Sequence, residues 1–88
     1  YAESGDFIRA IVEYKKIIEE ADVYPNTHHN LANAYREIGK YQDAEEEYKK
    51  AITLDPNFHF SYYALYDLYK KTGEKEKEEK MLQEIKQL

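Results

Sequence analysis

The sequence predicts an all-α chain of about five antiparallel helices, and three observations lead to that prediction. Apolar side chains recur at helical spacing along most of the chain. Only two prolines and three glycines occur among 88 residues, most of which lose little side-chain freedom in a helix. The sequence also repeats itself, because Gly5, Gly39 and Gly73 lie 34 residues apart. A single domain of helical repeats over residues 1–88 is therefore expected.

Several further residue columns share the 34-residue spacing. The matching sets are Tyr1, Tyr35 and Tyr69; Ala10 and Ala44; Leu31 and Leu65; and Tyr14, Tyr48 and Leu82. Large and small side chains thus return at the same positions, which indicates an internal repeat of one packing unit.

Glycines and prolines predict where the helices end. Each repeated glycine is expected in a turn between helices, because glycine adopts the left-handed conformation without a Cβ penalty. Pro56 marks another boundary, since proline cannot continue a helix but suits the first turn of the next one. The predicted helices cover about residues 6–20, 25–38, 41–54, 58–72 and 74–87.

Composition narrows the class of partner. A formal charge of −5 would repel a phosphate backbone, so nucleic acid is not expected as a partner. No apolar run approaches the roughly 20 residues that cross a bilayer, so no membrane partner is expected either. The absence of cysteine fits a reducing compartment, and the cytoplasm is the expected location.

The histidines and serines do not form a catalytic or metal-binding pattern. His28 and His29 are adjacent, so on a helix they point about 100° apart, whereas two histidines sharing a metal lie four residues apart. The serines lack a glycine-framed turn or a matched base. The sequence therefore predicts no enzyme, no metal site and no cofactor.

The repeat resembles the tetratricopeptide-repeat (TPR) family, whose unit is a helix-turn-helix of 34 residues. The residues that carry the resemblance in the middle repeat are Leu31, Ala32, Tyr35, Gly39, Tyr41, Ala44, Tyr48, Ala51 and Pro56. His28 stands where the family commonly has a bulky residue, and it is expected to pack there. The resemblance implies a fragment of a right-handed superhelical solenoid, with a partial repeat at 1–24, a full repeat at 25–58 and a full or terminal repeat at 59–88.

TPR proteins typically bind an extended peptide or a partner helix in a concave groove lined by the first helix of each repeat. By position, the resemblance places the following residues in that groove: His29, Asn33, Arg36, Glu37, Phe60, Tyr63, Asp67, Lys70 and Lys71. Amides, charges and aromatic rings together predict a mixed surface that binds a protein or peptide. The family's clamp for a chaperone's terminal carboxylate is not implied, because His29, Phe60 and Ala64 stand where it needs basic or amide residues.

An alternative function rests on the first helix, which is apolar on two sides. Besides the stripe that the repeat pattern expects, it carries four further apolar residues: Ile8, Ile11, Val12 and Ile18. These are predicted to form an assembly face that contacts a second copy of the chain or flanking repeats. In the third repeat, Glu78 replaces the small residue Ala44, so the last helix is expected to leave Glu78 partly exposed.

Overall fold

A computed structural model describes the backbone of residues 2–88 and the side chains from residue 5 onward. Tyr1, which the repeat pattern aligns with Tyr35, lies outside the described residues. The helices are α1 (Ala2–Glu20), α2 (Pro25–Glu37), α3 (Tyr41–Leu54), α4 (His59–Thr72) and α5 (Lys75–Lys86). Each helix packs against the next one along the chain. No strand occurs in residues 2–88, so the predicted all-α repeat is confirmed.

The turn glycines divide into two kinds. Gly39 and Gly73 adopt positive φ values of 84° and 76°, as a glycine that ends one helix before the next should. The prediction that Gly5 lies in a turn is wrong, because α1 begins four residues earlier than expected and includes it. A glycine inside a helix costs only about 1 kcal/mol relative to alanine.

Alanine at these glycines is expected to change stability in opposite directions. At Gly39 it should destabilise the protein by about 1–2 kcal/mol, because the left-handed backbone is strained for a residue with a Cβ. At Gly5 it should stabilise by up to about 1 kcal/mol, because alanine favours the helix. A Cβ added at either position would meet no neighbouring atom within 4 Å. The backbone conformation alone therefore decides whether alanine stabilises or destabilises the protein. Urea denaturation of both variants measures the difference, and destabilisation by both would contradict a helical Gly5.

Small residues let the helices approach closely in the core. Ala32, Ala44 and Ala51 have no exposed surface, and the ring of Tyr48 is fully buried beside α2 and α4. The predicted interlocking of small and large side chains is therefore present in the middle repeat. Glu78 is half-buried, as expected for a charged residue at the position that alanine holds in α3.

One carboxylate joins the last three helices. Glu45 of α3 accepts a hydrogen bond of 2.7 Å from the Tyr69 hydroxyl and contacts the Lys49 and Lys77 ammonium groups at 3.2 and 3.3 Å. Burial alone would raise the pKa of Glu45, but hydrogen bonds from Tyr69 and the two lysines outweigh it and lower that pKa. Glu45 thus stays ionised and holds α4 and α5 against α3.

Candidate functional site

The predicted groove residues form two rows on α2 and α4. His29, Asn33 and Arg36 follow the i, i+4, i+7 spacing of one helix face, and Tyr63, Asp67 and Lys70 repeat that spacing 34 residues later. A hydrogen bond of 2.9 Å between His29 Nδ1 and Ser61 Oγ joins the two helices at one end of the rows. The surface formed by these rows and Phe60 is called the inner face below.

Three aromatic rings meet at the start of the inner face. The His29 ring centroid lies 5.4 Å from that of Phe58 and 6.4 Å from that of Phe60, and the two phenylalanine centroids are 5.6 Å apart. These three rings are called the aromatic cluster below. Phe60 is 69% exposed, and Tyr63, one turn further along α4, is 51% exposed. A large exposed apolar surface of this kind is typical of an interaction site.

The ring of His29 is held in the neutral form. Its centroid lies 5.3 Å from that of Tyr48, and the side chain is only partly exposed between α2 and α4. This burial, together with the nearby Arg36 guanidinium, lowers the pKa of His29 below its ordinary value of about 6.5. At pH 7 the aromatic cluster therefore carries no charge.

Polar groups continue the inner face beyond the aromatic cluster. The Tyr48 hydroxyl donates a hydrogen bond to Asn33 Oδ1, and burial raises the pKa of Tyr48, so the phenol keeps its proton. The Arg36 guanidinium is part-exposed and lies 3.7 Å from the Glu37 carboxylate. Arg36 and the Asn33 side chain thus add charge and hydrogen-bonding capacity beside the apolar rings.

The predicted groove residues near the end of α4 are exposed charges. Asp67 and Lys70 both reach solvent, and the Lys70 ammonium lies 5.0 Å from the centroid of the Tyr66 ring. A cation over an aromatic ring is stabilised by the negative face of the π-system. The inner face thus changes from aromatic at one end to charged at the other.

The four residues of the predicted assembly face do not lie on one surface. Ile11 is only 8% exposed and belongs to the core, so its assignment to an outer face is wrong. Ile18 is half-buried and packs against that core. Tyr14 and Ile18 lie on the same side of α1 as Ile11 and pack against the same core. Ile8 and Val12 lie on another side of the helix and are 54% and 47% exposed.

Ile8 and Val12 occupy outward positions of the repeat. The residues 34 and 68 positions after them are Gln42 and Glu46 in α3 and Glu76 and Lys80 in α5, all of them exposed. A further repeat packed against α1 in the same register would therefore leave Ile8 and Val12 exposed to solvent. Ile8 and Val12 are therefore exposed like the residues at the same positions in α3 and α5, but they are apolar whereas those residues are polar or charged.

A buried histidine bridges three elements, and sequence reasoning missed its partners. His28 is 2% exposed and occupies the bulky position as predicted. Its Nδ1 lies 2.7 Å from Glu47 Oε1 of α3, and its Nε2 hydrogen-bonds Asp22 in the turn before α2. Neither carboxylate stands at a helical spacing from His28, so the sequence carries no signal for this cluster. The two carboxylates meet opposite edges of the ring and cannot converge on one ion.

The described part of the chain has neither a membrane-spanning helix nor a cluster of metal-binding side chains. No helix there is both long and apolar enough to cross a membrane. Among the same residues, no group of three or more histidine, aspartate or glutamate side chains is arranged to hold a metal ion.

Comparison with known proteins found two similarities. The family model described as tetratricopeptide repeat matches residues 25–58. A heat shock protein sti1 homolog from Schizosaccharomyces pombe is 39% identical over 59 residues, which are 67% of this chain and 10% of that protein. The chain thus spans about a tenth of the length of the curated relative. How residues 1–88 divide into partial, full and terminal repeats stays a prediction.

Proposed function

Since this chain belongs to the tetratricopeptide-repeat family and is a protein-interaction module, we propose that its inner face binds an extended peptide or a helix of a partner protein. The proposal assigns no catalytic role to the chain, because family members generally act as scaffolds. The formal charge of −5 favours a protein partner over nucleic acid. A reducing compartment such as the cytoplasm suits a chain without cysteine.

One observation carries the proposal, namely the exposed aromatic surface of Phe60 and Tyr63 beside the polar groups of α2. Both side chains are more than half exposed and follow one another on a single face of α4. Exposed aromatic residues next to hydrogen-bonding groups are the usual anchors of protein interfaces. Asn33 and Arg36 of α2 can then bind a peptide backbone or a carboxylate next to the apolar contact.

Alanine at both Phe60 and Tyr63 is expected to weaken peptide binding at least about tenfold, since aromatic anchors of interfaces contribute about 2 kcal/mol or more. Peptides are first selected from a random heptapeptide library on the immobilised protein. Their affinities for the wild type and the double variant are then compared by fluorescence anisotropy.

The matched control removes apolar surface elsewhere. Val23→Ala combined with Leu54→Ala truncates two exposed side chains outside the inner face, and it should leave affinity unchanged. Circular dichroism checks that helicity is equal in all variants. Full affinity in the Phe60→Ala, Tyr63→Ala variant would refute the proposal.

A second proposed function, self-association, is favoured by the apolar pair Ile8 and Val12. At the same outward positions, α3 and α5 carry polar or charged side chains, so burial against a second copy explains the difference. A twofold pairing of the two α1 helices would bring the same patch of each copy together.

Glutamate at Ile8 and Val12 is expected to keep the protein monomeric at concentrations where the wild type associates. The fold should survive, because Gln42 and Glu46 hold the same positions in α3. Light scattering over a range of concentrations measures the mass. Gln42→Glu combined with Gln83→Glu adds the same charge at exposed positions outside α1 and should leave the mass unchanged. A wild type that is monomeric throughout would exclude this function.

A further inference from the structure

The fully buried hydroxyl of Ser61 determines which nitrogen of His29 carries the proton. In the described residues this hydroxyl makes one hydrogen bond, at 2.9 Å to His29 Nδ1. If Nδ1 donated the proton, the hydroxyl hydrogen of Ser61 would be left buried without an acceptor. Donation from Ser61 to Nδ1 satisfies both groups. The proton of the neutral ring therefore resides on Nε2.

The second nitrogen of His29 is accessible to solvent. Every buried side-chain nitrogen or oxygen in the described part of the chain has a hydrogen-bond partner. Nε2 of His29 has none among the described residues, so it retains some accessibility to solvent. Because burial and Arg36 lower the pKa of His29, the ring stays neutral near pH 7. An oriented, uncharged N–H donor thus lies on the inner face.

The surroundings of this donor favour an uncharged ligand group. The Phe58 ring is inclined at 75° to the imidazole, and the centroid of the exposed Phe60 ring lies 6.4 Å from that of the imidazole. Dehydrating a carboxylate against these rings is costly unless a cation compensates. Neutral His29 supplies no cation, and Arg36 lies seven residues, or two helical turns, further along α2. A peptide carbonyl satisfies the donor at lower cost, while the neighbouring side chain of the peptide contacts the phenylalanine rings.

We propose that Ser61 is a positioning residue that holds His29 with its Nε2–H towards the ligand, so that the inner face selects a backbone carbonyl next to an apolar side chain. This inference rests on the proposed peptide-binding function of the same face. It adds the chemistry of the recognised group, which the exposed aromatic surface alone does not specify.

The first test needs no ligand. Nitrogen-15 NMR of the histidine rings, with the His29 signals assigned through His29→Gln, should show the Nε2–H tautomer in the wild type. In Ser61→Ala the signals should move towards a mixture of the two tautomers, whereas Ser61→Thr should restore the wild-type signals because it keeps the hydroxyl. The repeat itself has threonine at the corresponding position, Thr27. A wild-type Nδ1–H tautomer, or no change in Ser61→Ala, would overturn the inference.

The second test measures affinity for peptides selected from a random library that lacks asparagine and glutamine, so that any amide carbonyl comes from the backbone. Ser61→Ala should weaken these peptides about three- to tenfold, as expected when one neutral hydrogen bond is lost. Ser61→Thr should restore binding. Affinity should not rise between pH 8 and pH 6, because the recognised group is uncharged. Tighter binding at lower pH would identify a carboxylate and overturn the inference.

The two proposals fail in different ways. If Phe60→Ala with Tyr63→Ala weakens the selected peptides but Ser61→Ala does not, the role of Ser61 is refuted and the inner face remains the binding site. If neither variant changes affinity, both proposals are refuted. Equal helicity by circular dichroism is required of every variant that enters the comparison.

Discussion

Replacement of Tyr48 by alanine is expected to lower the free energy of unfolding by about 3–5 kcal/mol, the usual range for truncating a fully buried aromatic side chain. Tyr48 has no exposed surface and is the largest such side chain in the described core. Because it lies on α3, its loss would loosen the packing of that helix on both α2 and α4. A protein of this size has a total stability of only about 4–13 kcal/mol, so a large share of it should disappear.

Phenylalanine at the same position separates the ring from its hydroxyl. Tyr48→Phe keeps the packing but removes the hydrogen bond to Asn33, and it should cost only about 0.5–1.5 kcal/mol. Urea denaturation followed by circular dichroism measures both variants. Equal losses in the alanine and phenylalanine variants would mean that the hydrogen bond, not the ring, holds these helices together.

The second large effect is expected at His28, whose replacement by alanine should destabilise the protein by about 3–4 kcal/mol. The change leaves a cavity and removes the hydrogen-bond partner of Glu47, a carboxylate that is largely buried. Lys50 lies 3.3 Å from the other oxygen of Glu47 and compensates only part of that loss. Chemical denaturation of His28→Ala measures the total effect.

A double-mutant cycle isolates the bond itself. His28→Ala and Glu47→Gln, alone and combined, should show a coupling energy of about 1–3 kcal/mol, as direct contacts usually do. Asp22→Asn serves as the matched control, because the Asp22 side chain is 56% exposed and its removal should cost less than about 1 kcal/mol. A coupling energy near zero would show that packing of the His28 ring, rather than its bond to Glu47, supports the fold.

The helices and the candidate face followed from local features of the sequence. Gly39 and Pro56 interrupt helical periodicity, so the ends of α2 and α3 could be predicted to within one residue. Residues four and seven positions apart share a helix face whatever surrounds them, which is why His29, Asn33 and Arg36 could be grouped before the structure was known. The TPR resemblance then indicated which face is the inner one.

The orientation of α1 could not be derived in this way. The helix is apolar on more than one side, so periodicity alone cannot say which apolar residues turn towards α2. Packing on α2 buries Ile11 and leaves Ile8 and Val12 exposed. The sequence signals that Ile8 and Val12 are exposed only through the polar residues at the same repeat positions in α3 and α5.

By itself the sequence determined the helical repeat, the helix ends other than the start of α1, and the residues that share each helix face. These properties depend on neighbours within a few positions along the chain. The tertiary structure alone decided that Ser61 meets His29 across 32 residues and that Glu47 meets His28 across 19. Those contacts depend on the angle and distance between packed helices, which the sequence pattern of a single helix does not determine. The chemistry of the inner face is therefore a property of the packed repeat.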